Sequence, residues 1–92
     1  MRKLARSVTI RLVQTCPACP EQYDAFLGER QVGYLRLRWG EFRVDFPECG
    51  GATIYCAAFD DPFKGAFDND EERAQYLEAA KAAIRERLIC QS

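Results

Sequence analysis

The first side chains along the chain that could do chemistry are Cys16 and Cys19, a C-x2-C pair set among prolines in residues 15–21 (TCPACPE). Two thiolates at that spacing can share a metal ion, and Zn²⁺ takes four in a tetrahedron. Cys49, in the break PECGG, and Cys56 would complete such a site. The second pair argues against it, because its two cysteines lie far apart and Cys56 alternates with the core side of a strand. Free cysteine is also a small hydrophobe that is commonly buried. Buried or incidental thiols are the leading expectation, with zinc on Cys16, Cys19, Cys49 and Cys56 a minor one. A redox pair fits less well: C-x2-C oxidoreductases open a helix after a strand, which lowers the thiolate pKa, and here a proline-rich turn leads into another strand.

Histidine is absent. That removes the commonest general base, the Ser-His and Cys-His dyads and every histidine-containing metal site. The carboxylates Asp60, Asp61, Asp68, Asp70, Glu71 and Glu72 cluster, but a calcium loop needs ligands at regular alternate positions and a terminal bidentate glutamate. Pro62, Phe63, Lys64 and Phe67 interrupt that pattern, and helix capping accounts for residues 68–72 without a cation. No glycine-rich phosphate loop or nucleophile elbow is present. The expectation is a non-enzymatic protein with no cofactor, any catalysis falling to Cys19 or a carboxylate.

The surface with the most chemical content lies in residues 31–46 (QVGYLRLRWGEFRVDF). Alternate residues of a strand face opposite sides of a sheet. Gly33, Leu35 and Leu37 alternate with Tyr34, Arg36 and Arg38; after Gly40 the apolar set continues as Phe42, Val44 and Phe46. A turn at Trp39-Gly40 pairs Leu37 with Phe42, Leu35 with Val44, Arg36 with Arg43 and Arg38 with Glu41. Tryptophan suits a strict two-residue loop poorly, so a bulged turn is expected. A one-residue slip would put arginines into the core, so the register is well specified.

The polar side of this hairpin is predicted to carry Phe26, Val32, Tyr34, Arg36, Arg38 and Arg43, with Arg11 from the first strand. Aromatic rings interleaved with arginines can stack on bases and meet phosphates. They can equally be a solvated face, the arginines pairing with Asp24, Asp45 or Glu41 and their stems lying over the rings. A half-apolar open face also invites burial against a second copy or another protein. Self-association or a protein partner is the leading functional expectation. An anionic ligand, single-stranded nucleic acid among them, on Phe26, Tyr34, Arg36, Arg38 and Arg43 is the runner-up. The net charge of −1 disfavours a bulk electrostatic nucleic-acid binder.

These side chains need a scaffold, and 92 residues with 48% hydrophobic content allow one domain over residues 1–92. Residues 7–14 alternate as a first strand, with Val8, Ile10 and Leu12 inward. Residues 15–21 break it. Residues 22–27 form a second strand, joined through the three-residue loop 28–30 to the third, with Tyr23 opposite Leu35, Ala25 opposite Gly33, Asp24 opposite Tyr34 and Phe26 opposite Val32. Residues 52–59 make a fifth strand with Ile54 and Cys56 on one side and Tyr55 on the other. Residues 60–67 form a loop that Phe63 and Phe67 tether. Asp68 and Glu71 have the spacing of a capping box, and Tyr76, Leu77, Ala80, Ala83, Ile84 and Leu88 recur as the apolar stripe of a helix running to about Ile89. Arg85 and Arg87 would favour its C-terminal end. The predicted architecture is α+β: an antiparallel sheet of four or five strands, with a central meander, packed on one long C-terminal helix. No run approaches the roughly 20 apolar residues of a membrane span. The basic N-terminus passes straight into strand-like alternation, so no signal peptide and a cytoplasmic setting are expected.

Across CPEQYDAFLGERQVGYLRLRWGEFRVDFPECGG the chain resembles a group of small uncharacterised bacterial open reading frames found in mobile DNA, including integron gene cassettes and phage-like regions. The shared pattern is CPEQYD, then GYLRLR, an aromatic-rich strand, a P-x-C/V-x-G break and an acidic helix start. The resemblance implies that hairpin and helix form one unit, and it brings no activity with it. Within that group Cys19 recurs more dependably than Cys16, Cys49 or Cys56, which further weakens the zinc expectation.

Overall fold

The computed structural model describes residues 9–91, so the expectation for Val8 lies outside the described residues. Five strands, β1 (Arg11–Pro17), β2 (Glu21–Leu27), β3 (Arg30–Arg38), β4 (Glu41–Phe46) and β5 (Ala52–Ala58), precede one helix, α1 (Asp70–Gln91). Each strand pairs antiparallel with the next, in the spatial order β1-β2-β3-β4-β5. The architecture is α+β, a five-stranded meander with the helix on one face.

The β3–β4 register is the one that alternation requires: Leu35 opposes Val44, Leu37 opposes Phe42, Arg36 opposes Arg43 and Arg38 opposes Glu41. Leu35, Leu37, Phe42 and Val44 are fully buried. The connecting turn is tighter than expected. Trp39 and Gly40 both have positive φ, 52° and 72°, as in a two-residue primed turn, whose twist matches that of the strands. Gly40 must also lack a side chain, because a Cβ there would sit 2.5 Å from the Asp61 carbonyl oxygen.

Two register shifts overturn expectations that assumed strict alternation. Between Ala25 and Phe26 the β2–β3 pairing slips, so Phe26 opposes Gln31 rather than Val32. The extra residue of a bulge turns Val32 into the core, where it is fully buried instead of lying on the open face. The β2–β3 loop also shortens to two residues, with Leu27 paired to Arg30. Between Val44 and Asp45 a second shift sets Tyr55 opposite Val44 and Thr53 opposite Asp45. Ile54 and Tyr55 therefore both pack against the core, while Cys56, opposite Arg43, is exposed on the other face.

The first strand continues where a break was expected. β1 runs through Cys16 to Pro17 with a bulge after Gln14. A proline is tolerated there because β1 is an edge strand. Ile10 is buried and Leu12 partly so, as alternation requires.

The cap of α1 is shifted by one residue from the expected Asp68–Glu71 pair. Glu72 N–H donates to Asn69 Oδ1 at 2.7 Å, and Glu72 Oε1 accepts from Asp68 N–H at 2.8 Å. Asn69 is thus the N-cap, satisfying helix-end donors that have no partner within the helix. Ala80 and Ile84 are fully buried, with Tyr76, Leu77 and Leu88 packed around the core. The helix extends to Gln91, so its last turn holds no basic residue; the Arg87 guanidinium lies instead over the Phe46 ring at 5.1 Å. Gly33 marks the closest approach, since a Cβ there would meet Ile84 Cδ1 at 2.7 Å. Phe67 ties the preceding loop to the core, stacked on Tyr76 at 5.6 Å and edge-on to Phe42 at 5.3 Å. Phe63 does not; it is 76% exposed.

Candidate ligand-binding surface

Strand parity carries Tyr34, Arg36 and Arg38 to the face away from α1, with Arg43 opposite Arg36. Phe26 lies on the same face, half-buried, with the Arg11 guanidinium 4.9 Å above its ring. Much of this face is knitted together. Tyr34 Oη donates to Gln22 Oε1 at 2.6 Å, and Gln22 Nε2 donates to Thr15 Oγ1 at 3.2 Å. Gln31 Nε2 donates to Asp24 Oδ1 at 3.2 Å. Burial, then the Cys49 thiol, push the Tyr34 phenol up in pKa, against the opposing pull of Arg36.

The arginines divide into two kinds. Arg43 is engaged: its Nε lies 3.4 Å from Asp45 Oδ1, a carboxylate that also accepts from Thr53 Oγ1 and Gly50 N–H. Arg36 and Arg38 form no ion pair among the described residues. Glu41, opposite Arg38, instead accepts the S–H of Cys56 at 2.9 Å. That hydrogen bond, and then burial, push the Cys56 thiol up in pKa, which leaves it a poor nucleophile.

At the turn end of this row is a feature that alternation could not show. The Arg38 guanidinium sits 5.8 Å from the Trp39 ring, and Trp39 meets Phe63 edge-on at 6.3 Å. Trp39 is 65% exposed. With Cys19 and Gly65 these residues line a cleft of about 260 Å³. Its walls are fixed by backbone. Gly40 N–H donates to the Lys64 carbonyl at 2.9 Å, and Cys19 and Glu21 N–H both donate to the Gly65 carbonyl at 2.9 and 2.8 Å. Gly65 is close enough to Cys19 that a Cβ would stand 3.0 Å from its Sγ. A tryptophan at a hairpin tip and a phenylalanine after Pro62 were the local hints, but nothing local joins them.

Beneath the cleft, on the helix side, lies a buried ionic group that sequence reading also missed. Glu21 is 1% exposed. Its carboxylate accepts from Arg73 Nε at 2.7 Å, from Tyr23 Oη and from Phe67 N–H at 2.9 Å. Burial pushes this carboxyl up, but the hydrogen bonds from Arg73, Tyr23 and Phe67 outweigh it, leaving the pKa below the usual carboxylate range. Burial and the Glu21 carboxylate push the Tyr23 phenol up to about 12. Lys64, nearly buried, bridges Asp68 at 2.7 Å and Glu72 at 3.1 Å. Both carboxylate oxygens of Glu21 are engaged within the protein, which ties β2 to α1 and the loop before it.

The thiols do not form the metal site that C-x2-C spacing suggested. Cys16 Sγ lies 3.4 Å from the Ala18 carbonyl, Cys19 lines the cleft, Cys49 neighbours Tyr34 and Cys56 is held by Glu41. Among the described residues, no three His, Cys, Asp or Glu side chains converge to hold a metal. The meander explains the scatter: Cys16 and Cys56 lie on β1 and β5, the opposite edges of the sheet. No described helix is long and apolar enough to cross a membrane. Set against protein-family models, curated proteins and solved structures, the chain matches none.

Proposed function

We propose that this protein is a non-catalytic binding module whose ligand is anionic and is taken on the β3 arginine row, Arg36 and Arg38, with Tyr34, Phe26 and Arg43 beside it. The observation that carries the proposal is that Arg36 and Arg38 stand on one face without a carboxylate partner among the described residues, whereas Arg43, Lys64 and Arg73 each have one. With Val32 turned into the core, this face loses the aliphatic contribution that a self-association surface would use. Its chemistry is that of charge and hydrogen bonding, which suits an anion better than a second apolar surface.

The test is retention on heparin across a salt gradient, for the wild type and for Arg36→Gln/Arg38→Gln. Anion binding through these residues makes log affinity fall linearly with log salt. Removing two contacts should make that slope shallower in the variant than in the wild type. Identical elution of the two proteins, with unchanged thermal melts, would exclude the row as the binding surface.

A further inference from the structure

We infer that the cleft of Trp39, Phe63, Arg38 and Cys19 is a stacking subsite for one nucleobase, and that the ligand of the arginine row is a single-stranded nucleic acid. The inference rests on the anionic-ligand reading and adds to it the ring-binding half of the ligand.

Four observations converge. Trp39 and Phe63 are the two most exposed large hydrophobic residues described, and they touch each other, whereas Val13 and Ile89 belong to separate elements, β1 and α1. Trp39 holds a left-handed backbone, φ 52°, where a bulky side chain costs roughly 1–2 kcal/mol. Asparagine or glycine would fill that turn position without the cost. A bulky, solvent-facing side chain is costly at this backbone conformation, and strain of this kind collects at functional sites. The rings are also mounted rigidly: Gly40 is bonded to Lys64 and Phe59, and Phe63 N–H to Asp61 Oδ1. Little order remains to be imposed on binding. Finally, Arg38 lines the cleft and belongs to the row, so ring site and charge site are continuous.

The dimensions fit. About 260 Å³ lies below the roughly 300–1,000 Å³ of a pocket that swallows a whole small ligand. It suits one ring of a chain whose remainder lies outside. Arg36 and Arg38, two residues apart on a strand, are spaced by about 6.7 Å, comparable to successive phosphates of an extended single strand. A nucleotide brings a flat ring and an anionic phosphate in every repeat, and base–aromatic stacking is tolerant of sequence. An acidic peptide supplies charge at this spacing but a ring only where its sequence happens to place one. Residues 60–72 carry six carboxylates as well as Phe63 and Gly65 of the cleft. But Lys64 pairs with Asp68 and Glu72, Arg73 with Asp70, and Asp61 Oδ1 accepts from Phe63 N–H, so four of the six are engaged within the protein.

Trp39 is the only tryptophan in the chain, so its fluorescence reports the cleft directly. Wild-type protein is titrated with a short oligothymidylate, with inorganic polyphosphate of equal charge, and with an acidic peptide containing one phenylalanine. The expected result is saturable quenching by the oligonucleotide, with affinity weakened roughly 5- to 150-fold in Phe63→Ala. Phe63→Tyr, which keeps the ring, restores it. Phe63 is mostly in water, so Phe63→Ala keeps the wild-type melt. Oligonucleotide and polyphosphate binding equally, with no effect of Phe63→Ala, would overturn the base subsite and leave the anion site standing. Binding of neither would sink both. Tighter quenching by the peptide than by the oligonucleotide would reassign the cleft to a protein partner.

Discussion

Gln22 is the register partner of Arg36, so Glu21 and Arg36 start from almost the same point of the sheet and leave it on opposite sides. On the helix side Glu21 is sealed in, and hydrogen-bond donors from three segments converge on its carboxylate: β2, the loop before α1, and α1 itself. On the open side Arg36 is half-buried beside Tyr34 and pairs with no carboxylate among the described residues. A buried charge must be matched, because one without a partner costs several kcal/mol. A solvated charge need not be, since water screens it and even a formed surface pair is worth little. The contrast separates charges that hold the molecule together from charges available to something else.

Breaking the buried side should have the larger effect. Glu21→Gln keeps the shape but removes the charge that faces Arg73. Arg73 is partly exposed and can fall back on Asp70, 2.7 Å away, so the loss belongs at the low end of the range for breaking a buried pair, about 3 kcal/mol. In a domain of this size that is a melting-temperature drop on the order of 12–24 °C. The loss should also depend on pH. The Glu21 carboxyl titrates below its ordinary 4.5 in the folded protein, so its stabilisation is present above that value and fades as pH falls through the lower, folded one. Urea denaturation at pH 7 and pH 3 should show the gap between wild type and variant closing at acid pH. A gap of the same size at both would mean that the charge is not what stabilises the knot.

The two sides were not equally legible in the sequence. The arginine row was, because leucine and arginine alternate through β3 and a slip would bury charge; the row and its core partners follow from that alone. Trp39–Phe63 and Glu21–Arg73 were not, because each joins residues far apart in the chain, Phe63 from the loop between β5 and α1 and Arg73 from the first turn of α1, and no periodicity links them. Glu21 follows Pro20 and looks like a turn residue until Phe67 N–H is found on its carboxylate. Val32 and Cys56 were misplaced for another reason: a bulge adds one residue, and parity reverses without a mark in composition. Pro17 looked like the end of a strand because its position on the sheet edge was not knowable.

The cleft lies between the extremes, since it is built on strain as well as exposure. Trp39→Asn would give the Asn-Gly pair that favours a primed turn. Its left-handed backbone would no longer oppose a bulky side chain, and the protein should gain about 0.5–1 kcal/mol, measured by the urea midpoint at constant slope. Oligonucleotide binding, followed by anisotropy of a labelled strand since the tryptophan is gone, should weaken at the same time. Stability and binding moving in opposite directions is the signature of a residue kept for its ligand. A variant less stable than the wild type would show instead that the Trp39–Phe63 contact supports the fold.

The smallest effect on stability is expected at Arg36, and it sharpens the contrast most. Its neighbours are Tyr34, with a phenol already hydrogen-bonded to Gln22, and Arg43, a like charge already paired to Asp45. Removing the Arg36 charge takes away some cross-strand repulsion and leaves no carboxylate unmatched. Arg36→Gln should therefore lie within about 0.5 kcal/mol of the wild type, six-fold or more below the loss at Glu21 although the two side chains arise side by side on adjacent strands. Urea melts at neutral pH measure both on one scale. A loss above about 1 kcal/mol would place Arg36 among the structural charges, and of Arg36, Arg38 and Arg43 only Arg38 would then be left to offer a ligand.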